Sequence, residues 1–384
     1  MKKLIIFLCT LLFLCSFNNS YMKVQASDDL SLNTSSCVLM EADSKNVIYS
    51  KNPHQKLYPA SMTKMMGLYL ILEGIQDGVI NWDDQVCVSK KAASMGGTQI
   101  YLEENEVMKL EDLFKAVAIN SANDAIVALG EHLCLTNEAF IDKMNQKAKQ
   151  FNMNDTHFNN ATGFDDDNHY SSPYDMALLG CHLVSFGDDI LRYTSLKEAY
   201  IREDTSSPFW LVNTNKLLGH YDGIDGLKTG FTNKAGYNLT STAKRGNIRL
   251  VSTVMNLDTI AHRSQDTIRL LDYGFSRLKS ISLFDRNDVV SKYEFSSLVG
   301  ATLEVYVKEN IDVILFKEED EKLISINCVL DNDNPPYKKD EKVGVLKIIT
   351  PSSITYEYDI YAYNDVNKVS FWTYFIYFIK SIFA

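Results

Sequence analysis

The chain predicts an α+β fold in which one sheet is covered by helices, followed by a small all-β domain and a terminal amphipathic helix. Three observations lead there. Apolar strand segments stand at both ends of the long first part, with helical periodicity between them. Beyond about residue 284 the helical pattern stops and alternating β-type segments take over. The final stretch, Val369 to Ala384, sets Trp372, Phe375, Ile376, Ile379, Ile382 and Phe383 against smaller or polar positions every three or four residues.

Residues 1–26 have the three parts of a secretory signal: Lys2 and Lys3, an apolar run from Leu4 to Phe17, and the small-residue end Val24-Gln25-Ala26. A lipoprotein signal would need a small residue before Cys15, and Leu14 stands there. Residues 27–283 form the sheet-and-helix domain. Cys37 to Met40 and Val47 to Tyr49 read as strands joined by a tight turn in which Asn46 is expected to take the left-handed backbone. Ser61 to Ile75, after Pro59 and closed by Gly78, reads as a buried helix, and Leu110 to Leu133 and Glu138 to Phe151 have helical periodicity. Gly226 to Thr229, Tyr237 to Ala243 and Ile248 to Met255 read as strands, the last two joined at Arg245-Gly246-Asn247. In the β domain, residues 284–365, strands are expected at Thr302 to Val307, Val313 to Phe316, Ile324 to Val329 and Val343 to Ile349. Residues 366–384 complete the chain as an amphipathic helix. Its apolar part reaches roughly 24 Å, short of the roughly 30 Å hydrocarbon core, so it is expected to lie on a membrane surface. The other reading is a final strand packed on the β domain.

Composition excludes several classes. Removing residues 1–26 takes away three lysines and no acid, leaving 35 basic against 49 acidic side chains, which disfavours nucleic acid as a partner. The five remaining cysteines, Cys37, Cys87, Cys134, Cys181 and Cys328, are odd in number and scattered, as buried small hydrophobes are. The histidines show no HExxH spacing, and Asp165-Asp166-Asp167 lacks the glycine and glutamate of a calcium loop. Neither a metal nor a cofactor is expected.

The chemistry rests on three motifs in one order: Ser61-Met62-Thr63-Lys64, Ser121-Ala122-Asn123 and Lys228-Thr229-Gly230. SxxK also occurs at Ser20, Ser241 and Ser276, but the chain has one KTG, and only Ser121 supplies an SxN between Ser61 and Lys228. On a helix, positions i and i+3 share a face, which sets Lys64 beside the Ser61 hydroxyl as its base. Burial and a second cation, Lys228, would keep Lys64 neutral part of the time. The Ser61 N–H at the helix start can point at a developing oxyanion. Ser121 can pass protons to a leaving amine, and Asn123 can hold both a substrate amide and the lysine. Lys228 and Thr229 suit a carboxylate, Gly230 lets the strand approach the substrate, and the Phe231 N–H is a second oxyanion donor.

With these residues in place the chain resembles the low-molecular-weight penicillin-binding proteins, the serine D-alanyl-D-alanine carboxypeptidases of bacterial cell walls. The likeness extends to Tyr58-Pro59-Ala60 before the serine, Asn120 to Ala125, Thr156-His157-Phe158 with Asn160 to Gly163, His169-Tyr170-Ser171 with Asp175-Met176-Ala177, Asn213-Thr214-Asn215, and Gly223 to Thr232. It implies a penicillin-binding/β-lactamase-like fold and acylation of Ser61 by a peptidoglycan stem peptide ending in D-Ala-D-Ala. It also implies inhibition by β-lactams and a C-terminal helix on the outer face of the cytoplasmic membrane. Gly96-Gly97-Thr98-Gln99 and Phe164 depart from the family's usual residues. Three other readings stay open. A class A β-lactamase would carry aspartate at Ala122 and a later ExxLN, which is absent. An endopeptidase cutting cross-links would share the fold. A silent wall-binding protein would have no reason to keep all five polar site residues.

Overall fold

The computed structural model describes residues 30–203, 205–294, 302–332 and 336–367. The signal segment 1–26 and the amphipathic stretch Val369 to Ala384 lie outside the described residues.

Two antiparallel strands come first, β1 (Ser36–Glu41) and β2 (Val47–Lys51). The left-handed residue of their turn is Lys45, at φ 58°, rather than Asn46. The buried Glu41 carboxylate accepts the Asp43 and Ser44 amides and the Ser44 hydroxyl, which fixes the bend one residue earlier than turn propensity suggests. A 3₁₀ turn, Ala60–Thr63, then leads into the buried helix α1 (Lys64–Gln76). A small hairpin, β3 (Gln85–Cys87) with β4 (Val107–Lys109), brackets the single helical turn α2 (Lys90–Ala93).

The periodicity from Leu110 to Leu133 predicts one helix, and the structure has two, α3 (Leu110–Asn120) and α4 (Asn123–Cys134). Ser121, at φ 70°, ends the first, and the Ser121 and Ala122 amides donate back to the carbonyls of Val117 and Ala116. Both helices bury apolar faces in the same core, so the hydrophobic pattern runs through the break. Helix α5 (Asn137–Gln150) starts from a Thr136 cap, and α6 (Pro173–Val184) from a Ser172 cap followed by proline at its first position. After α7 (Asp188–Thr194) and the hairpin β5 (Glu198–Ile201) with β6 (Phe209–Val212) come β7 (Ile224–Thr232), β8 (Gly236–Arg245), β9 (Ile248–Leu257) and the long helix α8 (Ile260–Arg277).

The main sheet is antiparallel in the order β2-β1-β9-β8-β7, so the chain's first and last strands of this part meet at its centre. Alternation along β9 places Leu250 against α8 at Gly274 and Val251 against α6 at Gly180, so the two helices cover opposite faces. Every residue of β1 is buried, as a central strand covered on both sides requires.

Leu278–Phe284 is itself a strand, β10, paired with β13 (Ile311–Phe316), so β pairing of the second part starts directly after α8 rather than at 284. Five further strands follow the order β11 (Val289–Glu294), β12 (Thr302–Tyr306), β16 (Thr355–Ala362), β15 (Lys342–Ile349), β14 (Ser325–Leu330). Leu303, Val305, Ile311, Leu346, Ile348 and Ile360 form their separate apolar core.

Candidate active site

The 3₁₀ turn brings the first motif together. Lys64 Nζ lies 3.0 Å from Ser61 Oγ and donates to the Thr162 carbonyl at 2.6 Å. Thr162 belongs to a loop gathered by one side chain: Asn160 Oδ1 accepts the amides of Thr162, Gly163 and Phe164 at 3.2, 2.7 and 3.1 Å. At Gly163 (φ 88°) an added Cβ would stand 1.9 Å from the Ala60 carbonyl oxygen, so only glycine lets this loop lie against the nucleophile turn. His169 ties the two together. Its Nδ1 accepts the Asn159 amide at 3.0 Å, which assigns the ring proton to Nε2, 2.7 Å from Thr63 Oγ1.

The second motif occupies the break between α3 and α4. Ser121 Oγ is buried and finds no hydrogen-bond partner among the described residues, an expensive state for a hydroxyl unless a ligand completes it. The Asn123 backbone amide donates to the Thr98 carbonyl at 2.7 Å and its Nδ2 to the Gly96 carbonyl at 2.8 Å. The expected hold of Asn123 on the lysine is therefore replaced: Asn123 faces the loop 96–98, and the Thr162 carbonyl takes Lys64. Next to it, the buried Asp124 carboxylate accepts the amides of Ile100 and Leu102 and fixes the same loop.

The third motif lies in β7, which passes so close to the nucleophile turn that a Cβ at Gly230 would meet the Pro59 carbonyl at 2.5 Å and the Ser61 nitrogen at 3.2 Å. Lys228 is buried, Thr229 Oγ1 shares a hydrogen bond with Thr214 Oγ1 at 2.6 Å, and the Phe231 ring is half exposed and stacked on Tyr237. From α8, Arg263 enters the same region; its Nε is buried without a partner among the described residues.

Electrostatics follow from this burial. Lys64 is held well below the ordinary lysine range, first by burial and then by the charge of Lys228, with Asp124 opposing. Lys228 is pushed down to about 7 by burial and then by Arg263. Burial brings the Arg263 guanidinium down to about 10, so it stays charged at neutral pH. Burial and the neighbouring Lys228 charge thus favour the neutral amine of Lys64, 3.0 Å from a serine hydroxyl, while Arg263 keeps a cation in the region of Lys228. That set can deprotonate a serine and bind a carboxylate in one cleft.

The eight residues expected from the sequence, Ser61, Lys64, Ser121, Asn123, Lys228, Thr229, Gly230 and Phe231, come from three segments far apart in the chain. Motif reading passes over Thr162, which acts through a backbone carbonyl and leaves no side-chain signature. It also misses Arg263. The available signal was an arginine on the buried face of α8, in series with Thr267, Leu270, Leu271 and Gly274.

A sheet with helices on both faces, seating a serine–lysine pair against a Lys-Thr-Gly strand, defines a serine acyl-transfer enzyme of the penicillin-binding fold. The chain belongs to the D-alanyl-D-alanine carboxypeptidase family, peptidase S11, whose model matches residues 22–259. A model of the penicillin-binding protein 5 C-terminal domain matches residues 278–368. The D-alanyl-D-alanine carboxypeptidase DacF of Bacillus subtilis is 37% identical over 378 residues, 97% of each chain. Penicillin-binding protein 5 from Haemophilus influenzae superposes with a TM-score of 0.73 at 27% identity, covering 90% of this chain and all of that one. Penicillin-binding protein D2 from Listeria monocytogenes, in its ampicillin-bound form, matches 65% of this chain and all of its own at 31% identity and a TM-score of 0.58.

Proposed function

We propose that this chain removes the terminal D-alanine from peptidoglycan stem peptides through an acyl-enzyme on Ser61. The observation that carries the reading is the buried Lys64 amine 3.0 Å from Ser61 Oγ, in surroundings that disfavour its charge. Ser61 gives its proton to Lys64 and its oxygen attacks the carbonyl of the penultimate D-alanine. The Ser61 and Phe231 amides face the oxygen on which negative charge develops. Ser121 Oγ relays the proton to the departing D-alanine nitrogen as the peptide bond breaks, and water then attacks the ester and restores Ser61. Lys228, Thr229 and Arg263 hold the free carboxylate of the substrate, and Asn123 Oδ1 is left to receive its amide. A β-lactam, with its own carboxylate and strained amide, acylates the same serine and blocks the cleft.

Residues 1–26 direct export, and Val369 to Ala384 hold the enzyme on the outer face of the cytoplasmic membrane. The apolar–polar spacing of that segment supports this part of the reading. Deleting it should release active enzyme from membranes, and a truncated enzyme that remains bound would remove the anchor.

The test of the chemistry is D-alanine release from a diacyl-Lys-D-Ala-D-Ala peptide, with Ser61→Ala beside it. Release by the unaltered enzyme alone is expected. Absence of release from folded protein, with cleavage of cross-linked dimers instead, would transfer the reading to an endopeptidase.

A further inference from the structure

Tyr101 holds a conformation that its own packing does not reward. Its φ is 57°, a left-handed backbone rare for a bulky aromatic residue, and the residue is 68% exposed. The neighbours on either side impose it. Ile100 and Leu102 are buried, and both their amides donate to Asp124 Oδ2, at 3.0 and 3.1 Å. The Ile100 carbonyl accepts Arg202 Nη1 at 2.9 Å, and Arg202 is paired with Glu106 at 2.8 Å. Residue 101 is thus pinched outward by a two-point clamp on a buried carboxylate. Burial of Ile100 and Leu102 explains the clamp; it does not explain an aromatic ring presented to water, where glycine or asparagine would sit without strain.

The position of the ring gives it a use. The loop that carries Tyr101 also carries Gly96 and Thr98, whose carbonyls receive Asn123, and Asp124 is the next residue of α4. Tyr101 therefore stands on the Asn123 side of the cleft. The Phe209 ring lies 6.1 Å away and tilted by 59°, which widens the aromatic surface, and the exposed Glu103 and Glu104 follow shortly after Tyr101 in the same loop. With the carboxylate end of the stem at Lys228 and Arg263 and its amide at Asn123, the loop bonded to Asn123 is the surface open to the rest of the stem in this reading. What the stem hangs from is a sugar. A pyranose has a C–H face that stacks on an aromatic ring and hydroxyls at its edge that suit acidic groups.

We propose that Tyr101, widened by Phe209, is a stacking platform for a pyranose ring of the glycan that carries the stem peptide, so that the enzyme discriminates glycan-linked stems from free peptides. This rests on the carboxypeptidase reading for its choice of ligand.

The test compares a disaccharide-pentapeptide with the same pentapeptide without its sugars, read as the ratio of their kcat/KM values. The same ratio is read as affinities on the Ser61→Ala protein, where no turnover is needed. The unaltered chain should favour the sugar-bearing substrate by about fivefold, the scale of one aromatic contact. Tyr101→Phe should keep the ratio, and Tyr101→Ala should bring it to about one. Tyr101→Gly serves as the fold control: it suits the left-handed backbone, so Tm should hold or rise while the ratio still collapses. A ratio near one in the unaltered chain, or a ratio that survives Tyr101→Gly, overturns the platform. Failure of the carboxypeptidase reading shows separately, as no D-alanine release from either substrate while sugar-dependent binding to the Ser61→Ala protein persists.

Discussion

His169 donates its Nε2 proton to Thr63 Oγ1 across 2.7 Å, while its Nδ1 accepts the Asn159 amide at 3.0 Å. One buried imidazole thus joins the turn that carries Ser61 to the loop whose Thr162 carbonyl holds Lys64. The tautomer matters: a doubly protonated ring has no acceptor left for Asn159.

This relationship makes the fold acid-sensitive. Burial pushes His169 from 6.5 down to about 4, and burial likewise brings His182 down to about 4. Between those pH values the unfolded chain binds a proton that the native chain does not. Stability is therefore complete above about 6.5 and is lost as pH falls toward 4, by about 3 kcal/mol for the buried His169. Urea unfolding at pH 7 and pH 4.5 checks it: the midpoint should fall in the unaltered chain and fall less in His169→Gln. Equal midpoints at the two pH values would contradict the burial argument.

Ser121 should separate stability from activity. Its hydroxyl is buried without a partner among the described residues and its φ is 70°. Ser121→Gly removes the orphan oxygen and suits the left-handed backbone, so Tm should rise by about one to two degrees, from roughly 1 kcal/mol of relief. The proton path to the leaving group is lost with it, and acylation by a β-lactam or peptide should slow by about a hundredfold or more. A fall in both Tm and rate would instead make Ser121 an ordinary structural residue.

The strands of the main sheet were legible because they are short apolar runs bounded by turn residues, as at Asp43 to Asn46 and Arg245 to Asn247, whereas the apolar run of α1 continues too long for a strand. The break at Ser121 was not, because α3 and α4 bury similar faces and the break lies in the carbonyls of Ala116 and Val117, which every residue type carries. The serine and lysine motifs could be read because their chemistry needs those side chains. The partner of Lys64 could not: a Thr162 carbonyl is silent in sequence, and Asn123 stood as the nearest side-chain candidate. Strand β10 was hidden for a similar reason, since Leu278–Phe284 alternates weakly and gains its pairing from Ile311–Phe316, far along the chain.

Substrate affinity should depend on the charge of Lys228. With Lys228 at about 7, its ammonium is present below that pH and lost above it, so KM for a carboxylate-terminated peptide should rise from pH 7 to 9. Arg263→Gln removes a charge that depresses Lys228, so the alkaline rise should move to higher pH. At pH 6 the variant should still bind about tenfold more weakly, because one charged partner of the carboxylate is gone. A KM that is flat across this range would mean that Lys228 does not meet the substrate carboxylate as a cation.

Gly97 tests how tightly the Asn123 side of the cleft is set. Its φ is 77°, and an added Cβ would stand 2.8 Å from Asn123 Nδ2 and 3.5 Å from the Phe164 ring. Gly97 and Phe164, both departures from the usual family residues, therefore lie close together beside Asn123; an added Cβ would touch the ring at ordinary contact distance, and the Asn123 amide is the group it would crowd. Gly97→Ala should strain the backbone and push the Asn123 amide off the Gly96 carbonyl, where it now donates at 2.8 Å. The expected loss is about tenfold to a hundredfold in kcat/KM, since displacement of an orienting group by about 1 Å costs on that order. Phe164→Leu added to Gly97→Ala leaves the contact with Asn123 Nδ2 in place, so it should recover little of the activity. Full recovery would show that Phe164, and not Asn123, was the group displaced. Steady-state kinetics on the two single variants and the double variant resolve the cases, because residues in contact are expected to depart from additivity.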